Sequence, residues 1–283
     1  MTGSPETAFG SPRDFLDNRF VYVVVSSRAR GLSIGVNMNP DKNCNFHCVY
    51  CEVPRNGSLP QQTLDVEEMA AELKRTLSFV RAGRLREHPW YRALPDDLLQ
   101  LRHVALSGDG EPTLSTQFDA AIQAVVHVRA LCGWPFFKLV LLTNATGLDL
   151  PQVQHGLKHF TRSDEVWTKL DGGTQAYVNK VNRARVPLAR ILSNILTLGR
   201  QRPLVIQSLF PAIHDEEPPL EEIEQYAHRL LELKNAGAQI SLVQIYSATR
   251  PSLNSESGHL PLKVLSRIAH TVRQTTGLNA EVF

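Results

Sequence analysis

Short runs of hydrophobic residues alternate along the chain with stretches whose apolar positions recur at helical spacing. The runs are rich in β-branched and aliphatic residues, which predicts buried strands. We predict strands at residues 20–25, 32–36, 104–106, 138–142, 166–170, 204–206, 240–245 and 279–283. We predict helices from Asp65, as the capping residue, to Val80 and at residues 118–131, 151–160, 188–200, 220–233 and 262–273.

The alternation of strands and helices predicts an α/β fold, in which the strands pair in parallel and the helices pack outside the sheet. Counted from residue 32, the pattern gives six strand–helix units, fewer than the eight of a closed barrel. Residues 1–19 are rich in Gly, Ser, Pro and charge, and we expect a flexible N-terminal tail there. No linker divides the remainder, so we expect residues 20–283 to form one domain.

Composition narrows the class of protein without fixing its activity. Hydrophobic residues make up 42% and charged residues 20% of the 283 positions, an ordinary globular balance. No apolar run reaches the ~18 residues of a membrane span. Pro5, Glu6 and Asp14 stand where a signal peptide would need a basic start and an apolar stretch. We therefore expect a cytoplasmic protein with no membrane partner. The formal net charge of +2 does not by itself indicate nucleic acid.

Three of the four cysteines, Cys44, Cys48 and Cys51, lie within eight residues. This C-x3-C-x2-C spacing lets a short loop turn three thiolates toward one centre. Thiolate-rich sites favour iron–sulfur clusters, zinc or Cu(I) over hard cations. A [4Fe-4S] cluster normally takes four thiolates, so three would leave one iron open to another ligand.

Other interpretations of these cysteines stay open. Zinc could take His47 as a fourth ligand, although structural zinc sites usually draw on two ligand pairs separated by a dozen or more residues. No second pair at that spacing follows. The cysteines could also be inert. A disulfide is disfavoured because the chain has only four cysteines and no signal peptide that points to an oxidising compartment.

A glycine- and acid-rich segment directly follows the strand predicted at residues 104–106. Its candidate binding residues are Gly108, Asp109, Gly110 and Glu111. Glycine lets backbone groups approach a ligand closely, and active sites of barrel proteins lie at the carboxyl ends of the strands. The alternative interpretation is a helix-capping turn, with Thr113 or Ser115 as the cap.

Polar residues also lie at the ends of later strands. They are Asn144, Lys169, Asp171, Gln207 and Gln244. Lys169 and Asp171 share one face of their strand, and packing of the opposite, mostly aliphatic face under helices would turn them inward. We take both as candidate catalytic residues that hold a ligand, and a purely structural ion pair stays the alternative.

A basic group follows the same strand, at Lys180, Arg183, Arg185 and Arg190. Such charges usually form a solvated surface. The alternative is contact with the phosphates of a nucleotide, a nucleic acid or another phosphorylated substrate.

The cysteine segment, with Tyr50 just before its last cysteine, resembles the signature of the radical S-adenosylmethionine (SAM) superfamily. The core of that superfamily is a partial (β/α)6 TIM-like barrel, whose first loop between strand and helix carries three cysteines. Here too the cysteines follow the first strand of a run of six units. The resemblance implies that Cys44, Cys48 and Cys51 are metal ligands of a [4Fe-4S] cluster and that SAM is the second cofactor.

The resemblance also implies roles in SAM binding. Glu111 aligns with the family's glutamate that holds the ammonium group of SAM, while Asp109 replaces a more usual glycine. Tyr50 resembles the residue that contacts adenine from the cysteine loop, and Lys169 and Asp171 would hold the ribose hydroxyls or a substrate anion. The implied cofactor-binding residues are Tyr50, Gly108, Asp109, Gly110, Glu111, Asn144, Gln207 and Gln244.

Within the superfamily, the chain is most similar to proteins named for wyosine synthesis on tRNA. The matching stretches begin at Ser26, include the cysteine segment and the glycine-rich segment, and extend to Tyr246. The wyosine enzyme adds a second iron–sulfur cluster built from further cysteines. Cys132 is the only cysteine left over here, which argues against wyosine synthesis itself.

The implied activity is the reductive cleavage of SAM to a 5′-deoxyadenosyl radical, which takes a hydrogen atom from the substrate. An external electron donor such as flavodoxin or ferredoxin would be needed. The sequence does not identify the substrate; in the alternative to a solvated surface, the basic residues would contact a nucleoside, a nucleotide, a tRNA or another phosphate-bearing molecule. A non-catalytic iron–sulfur or zinc protein that binds or senses a ligand on the same scaffold is the alternative.

Overall fold

The computed structural model describes residues 15–54, 62–131, 137–248 and 256–283. These residues contain an eight-stranded, mostly parallel β-sheet accompanied by α-helices, which is the α/β architecture predicted from the sequence. The chain divides into two compact units. The first comprises residues 1–43, 60–141 and 151–164, and the second comprises residues 44–59, 142–150 and 165–283.

Four strands, the last of them in part, and three helices lie in the first unit among the described residues. Its strands are β1 (Val21–Ser26), β2 (Gly31–Asn37), β3 (Leu101–Ser107) and the first part of β4 (Lys138–Thr143). β1 pairs antiparallel with β2, and the pairs β2–β3 and β3–β4 are parallel. Its helices are α1 (Val66–Arg81), α2 (Phe118–Leu131) and α3 (Pro151–Leu157). Short 3-10 turns lie at Arg84–Glu87, Pro89–Tyr91, Asp96–Leu99 and Pro112–Leu114.

A buried carboxylate on α1 holds the start of β1. Glu72, 1% exposed, accepts hydrogen bonds from the backbone N–H groups of Arg19, Phe20 and Val21 at 2.7, 2.8 and 3.0 Å. Phe15 is 3% exposed and packs edge-on against Phe79 of α1. Residues 15–19 therefore lie against α1, and residues 1–14 of the predicted tail lie outside the described residues. The division into a tail at 1–19 and one domain at 20–283 stays a prediction.

The second unit continues the alternation. Its strands β5 (Glu165–Lys169), β6 (Leu204–Leu209), β8 (Ile240–Tyr246) and β10 (Ala280–Val282) pair in parallel in that order. β7 (Ala212–Ile213) and β9 (Ser257–Gly258) form a separate antiparallel pair. The helices are α4 (Gln175–Asn182), α5 (Leu188–Gly199), α6 (Leu220–Asn235) and α7 (Leu262–Thr276).

The predicted strands and helices are all present, and α2 has the predicted bounds. The prediction missed α4 and the short β7–β9 pair. α4 had a readable signal, because Thr174 caps its first turn by accepting from the Tyr177 N–H at 3.2 Å, and Tyr177, Val178 and Val181 form its buried face. None of the helices in the described parts of the chain has the length and apolarity that crossing a membrane requires.

Candidate functional site

The cysteine loop, residues 44–51, is bound to the carboxyl end of α4 within the second unit. The N–H of His47 donates to the Asn182 carbonyl and the N–H of Val49 to the Val181 carbonyl, both at 2.9 Å. The last carbonyls of a helix have no partner inside the helix. The loop therefore supplies hydrogen-bond donors to the last carbonyls of α4, and α4 in turn fixes the path of the loop.

The three thiols of the loop are half-buried and take part in no disulfide. The Asn182 side chain donates its Nδ2–H to the Sγ of Cys48 at 3.4 Å. Burial raises the pKa of the Cys48 thiol to about 11, while the charge of Lys169 acts in the opposite direction. The cysteine loop thus receives both backbone and side-chain hydrogen bonds from one helix end.

A buried network joins the cysteine loop to the end of β5. The hydroxyl of Tyr50 donates to Oδ2 of Asp171, and the Asn182 amide donates to the same oxygen at 2.6 Å. Lys169 donates to the Tyr50 oxygen at 3.1 Å and lies 3.6 Å from Asp171 Oδ2. Asp171 Oδ1 accepts from the Leu209 N–H at 2.9 Å. The structure therefore brings Lys169 and Asp171 together, as the shared strand face predicts, and it places Tyr50 beside them.

Burial and the charge of Asp171 keep Tyr50 a neutral phenol. Burial raises its pKa well above the ordinary value, and the negative charge of Asp171 raises it further. The Lys169 ammonium also lies 5.1 Å from the centroid of the Tyr50 ring, within cation–π range. The catalytic role of Lys169 and Asp171 stays a prediction, and so does their alternative as a structural ion pair.

Asn144, which follows β4, bonds to the cysteine loop. Its Nδ2 donates to Asn45 Oδ1 at 2.8 Å, and Asn45 Nδ2 donates to Thr146 Oγ1 at 2.8 Å. Asn144 Oδ1 in turn accepts from the Thr146 N–H and hydroxyl at 3.0 and 2.7 Å. This predicted cofactor-binding residue therefore holds Asn45, which directly follows Cys44.

Gln207 on β6 and Gln244 on β8 are neighbours in the sheet of the second unit. Gln207 Nε2 donates to Gln244 Oε1 at 2.9 Å, and both side chains are buried. The structure thus brings these two predicted cofactor-binding residues together, and their contact with a cofactor stays a prediction.

The glycine-rich segment after β3 packs against the chain that follows β2, inside the first unit. A Cβ on Gly108 would lie 2.2 Å from Asn37 Oδ1, and one on Gly110 would lie 2.1 Å from the Asn43 carbonyl oxygen. Asn37 donates to Asp109 Oδ2 at 2.8 Å and accepts from the Asp109 N–H at 3.0 Å. The two glycines are therefore required by close approach to residues 37–43, a reason that the sequence did not reveal.

Glu111 caps the 3-10 turn at Pro112–Leu114. Its Oε1 accepts from the Thr113 hydroxyl at 2.6 Å and from the Thr113 N–H at 3.2 Å, and the side chain is 3% exposed. Its own N–H donates to the Asn43 carbonyl at 2.8 Å. Glu111 is thus the capping residue of a 3-10 turn, and the alternative interpretation, with Thr113 or Ser115 as the cap of a helix, stays a prediction. Its role in SAM binding stays a prediction.

Sequence reasoning missed the asparagines of these networks, chiefly Asn182, Asn45 and Asn37. Asn182 contacts Cys48 across a separation of 134 positions, which no local pattern reveals. Among the basic residues, Arg183 pairs with Glu256 and Arg190 pairs with Asp149. These two ion pairs support the interpretation of the basic group as a solvated surface. Lys180 and Arg185 are exposed as well.

Comparison with known sequences gives distant relatives, among them two UPF0026 proteins. A UPF0026 protein of Synechocystis sp., slr1464, is 30% identical over 185 residues, which are 64% of this chain and 60% of the relative. A UPF0026 protein of Helicobacter pylori is 26% identical over 220 residues, which are 74% of this chain and 62% of the relative. The match thus spans less than two thirds of the length of either relative. No protein-family model matches the chain.

The matches with solved structures cover more of the chain than the sequence matches do. A radical SAM methyltransferase from Sphaerobacter thermophilus superposes with a TM-score of 0.63 at 14% identity, covering 93% of this chain and 68% of the other. The chain has the radical SAM fold. SuiB of Streptococcus suis, solved with S-adenosylmethionine bound, gives a TM-score of 0.58 at 15% identity, covering 86% of this chain and 49% of SuiB. TYW1 with a lysine–pyruvate adduct gives 0.54 at 17% identity, covering 88% and 74%.

These superpositions confirm the predicted fold class, a partial (β/α)6 TIM-like barrel of the radical SAM type. They also confirm, at the level of the fold, the resemblance to the radical SAM superfamily. The superposition with TYW1, one of the structures with this fold, covers 88% of the chain.

Proposed function

We propose that the chain is a radical SAM enzyme in which Cys44, Cys48 and Cys51 bind a [4Fe-4S] cluster. The observation that supports this most directly is the cysteine loop itself. On a chain with the radical SAM fold, it presents three half-buried thiols in no disulfide and at the spacing of the superfamily. Soft thiolate donors suit an iron–sulfur cluster better than a hard cation.

The surrounding residues fit a loop that must hold its thiols in fixed positions. The end of α4 binds the loop backbone at His47 and Val49, and Asn182 donates to the Cys48 sulfur. Hydrogen bonds to ligating sulfurs are one of the means by which proteins tune such clusters. We therefore assign Asn182 as a positioning residue for Cys48.

Glu111 is the residue that we propose for the ammonium group of SAM. It is a buried carboxylate, and both Thr113 donors bond to its Oε1. Thr113 thereby fixes the rotamer of the carboxylate. When bound, the cluster and SAM supply reductive cleavage to methionine and a 5′-deoxyadenosyl radical. Asp109, held by Asn37, is the further acidic residue that we propose for SAM binding in this segment.

For the second unit we propose that Lys169 and Asp171 contact the ribose of SAM or a substrate anion, with Tyr50, Asn144, Gln207 and Gln244 as further binding residues. Lys169 is the member of the network best suited to meet an anion, since its side chain is 22% exposed whereas that of Asp171 has no exposed surface. We further propose that flavodoxin or ferredoxin supplies the electron. The substrate that we propose is a phosphate-bearing molecule such as a nucleotide or tRNA, met by the exposed Lys180 and Arg185.

Anaerobic reconstitution with iron and sulfide tests the proposal. We expect about four irons per chain and an absorbance shoulder at about 400 nm, in the usual charge-transfer region of iron–sulfur proteins. Cys48→Ala should lose both, whereas Cys132→Ala, at the cysteine outside the motif, should keep both. With a strong reductant and SAM, the reconstituted protein should release 5′-deoxyadenosine. A protein that only senses a ligand through the cluster would release none.

A second variant separates SAM binding from cluster assembly. Glu111→Gln keeps an acceptor oxygen for Thr113 but removes the charge that would meet the ammonium. We expect the full iron content, weaker SAM binding by equilibrium dialysis and slower release of 5′-deoxyadenosine. Glu224→Gln, at an exposed position on α6, is the matched control and should change none of these. One tight zinc and no iron in the wild-type protein would refute the cluster, and unchanged SAM affinity in Glu111→Gln would remove Glu111 from the site.

A further inference from the structure

Two histidines and one aspartate meet on the surface of the first unit, outside the residues assigned above. The ligand atoms of Asp119, His155 and His159 all lie within 4.8 Å of one another. His155 Nδ1 is 2.8 Å from Asp119 Oδ2, and His159 Nε2 is 3.8 Å from Asp119 Oδ1. The two imidazole rings are perpendicular, with centroids 5.7 Å apart.

Close packing of two helices creates this cluster. Gly156 on α3 lies so near α2 that a Cβ on it would be 3.0 Å from both Ile122 and Phe118. Asp119 lies in the first turn of α2, next to the point of approach. His155 and His159 are four positions apart, at the end of α3 and in the turn after it, so they project on the same side. The short interhelical distance therefore places both imidazoles at the Asp119 carboxylate.

An ordinary surface ion pair explains the contact of Asp119 with His155 but not its contact with His159. The His155–Asp119 contact has normal hydrogen-bond length. By contrast, Asp119 Oδ1 and His159 Nε2 are shielded from solvent and have no hydrogen-bond partner among the residues that the structure describes. Their separation of 3.8 Å is too long for a hydrogen bond between them. Shielded polar atoms without a partner are costly, so these two atoms require a further explanation.

A bound cation provides that explanation. Two ligand atoms that each lie about 2.0–2.2 Å from one zinc-like ion are roughly 3–4 Å apart, a range that includes the observed 3.8 Å. Two imidazoles and one carboxylate form a donor set suited to zinc and its neighbours in the first transition series. Gln123 donates to Asp119 Oδ2 at 3.0 Å and would hold the carboxylate in place, as outer partners of metal ligands commonly do.

We propose that Asp119, His155 and His159 form a binding site for a divalent transition-metal ion of the zinc type. The ion joins α2 to the end of α3. The side chains of His155 and His159 are 57% and 35% exposed, so the ion reaches the site from solvent, and water completes its coordination. This site is separate in its residues from the cysteine loop, and it does not depend on the proposed function.

Cobalt(II) titration of the full chain tests the site. The cysteine ligands would compete, so the titration uses the full-length triple variant Cys44→Ser, Cys48→Ser and Cys51→Ser under anaerobic conditions. We expect one equivalent of Co²⁺ to bind with weak visible bands and without sulfur-to-cobalt charge-transfer absorption, and Zn²⁺ to displace it. In this background, His159→Gln and Asp119→Asn should each weaken binding by at least about tenfold, because the first removes an imidazole ligand and the second replaces an anionic ligand by a neutral amide.

His127 provides a matched control, since it is an exposed histidine on the same helix as Asp119. His127→Gln should leave the Co²⁺ affinity unchanged. His155→Gln, at the most exposed of the three positions, tests the site with little effect on folding and should also weaken binding by at least about tenfold. Circular dichroism confirms that each variant is folded. Absence of binding below about 1 mM, or equal affinity in His155→Gln and His127→Gln, would overturn the proposal.

Discussion

Replacement of Asp164 by asparagine should destabilise the first unit strongly, because its carboxylate is the centre of a buried ion pair. Arg129 of α2 donates to Oδ1 at 2.7 Å and to Oδ2 at 3.1 Å. The N–H of Leu139 donates to Oδ1 at 2.7 Å, and the N–H and hydroxyl of Thr161 donate to Oδ2 at 2.7 and 2.9 Å. Burial alone would raise the pKa of Asp164, but these hydrogen bonds hold the pKa below its ordinary value, so the group is charged.

The size of the expected loss of stability follows from the hydrogen bonds that an amide cannot accept at this position. Asparagine can place its carbonyl oxygen where Oδ1 stands, but its NH₂ group then faces the donors of Arg129 and Thr161. The guanidinium of Arg129, whose side chain is only 11% exposed, loses its counter-charge. Removing one partner of a buried ion pair typically costs about 3–5 kcal/mol. We expect Asp164→Asn to fall near the lower end, at about 3 kcal/mol, because a neutral amide is easier to bury than a charge.

Urea unfolding followed by circular dichroism near neutral pH measures this loss. Glu217→Gln is the control, since it removes an exposed ion pair in which Glu217 and Arg267 are 46% and 43% exposed. Exposed pairs contribute about 1 kcal/mol or less. If Asp164→Asn shifts the midpoint no more than Glu217→Gln does, the reasoning is wrong.

Two further predictions concern pH and packing. Burial lowers the pKa of His103 from 6.5 to about 3, with Lys138 and Arg28 contributing. The unfolded chain takes up this proton first, so stability falls as the pH drops below about 6.5; at pH 5 the loss is roughly 2 kcal/mol. The difference in unfolding midpoint between near-neutral pH and pH ~5 should shrink accordingly in His103→Gln, and an unchanged difference would contradict the assignment. A Cβ on Gly173 would lie 2.1 Å from the Tyr226 nitrogen, whereas one on Gly258 would have its nearest neighbour at 3.7 Å. Gly173→Ala should therefore lower the free energy of unfolding by more than about 1 kcal/mol, and Gly258→Ala, melted in parallel, should do so by much less.

The elements of the fold could be predicted from the sequence because each depends on its own apolar pattern. The buried positions of α2 recur at helical spacing, and the run at Lys138–Thr143 is apolar almost throughout. α4 was missed because its eight residues carry only a short apolar pattern, followed directly by the basic residues Arg183 and Arg185. β7 and β9 are two residues each, too short for any periodicity to show.

The candidate site was predictable in its chemistry but not in its contacts. The spacing of Cys44, Cys48 and Cys51 is a local feature, and so is the alternation that places Lys169 and Asp171 on one face. The partners of these residues are not local. Asn182 reaches Cys48 over 134 positions and Tyr50 reaches Asp171 over 121. No periodicity encodes such pairs, since they arise only when separate elements pack.

The contacts of Asp171 can be compared with the two interpretations of the Lys169–Asp171 pair, ligand binding and a structural ion pair. Asp171 accepts from the Leu209 N–H on one oxygen and from Tyr50 and Asn182 on the other, with no exposed side-chain surface. These contacts suit a residue that positions the cysteine loop through Tyr50. Lys169 reaches the same tyrosine while keeping 22% of its side chain exposed. Asp171 thus has the burial expected of a structural residue, and Lys169 keeps the exposed surface that ligand binding requires, so both interpretations of the pair stay predictions.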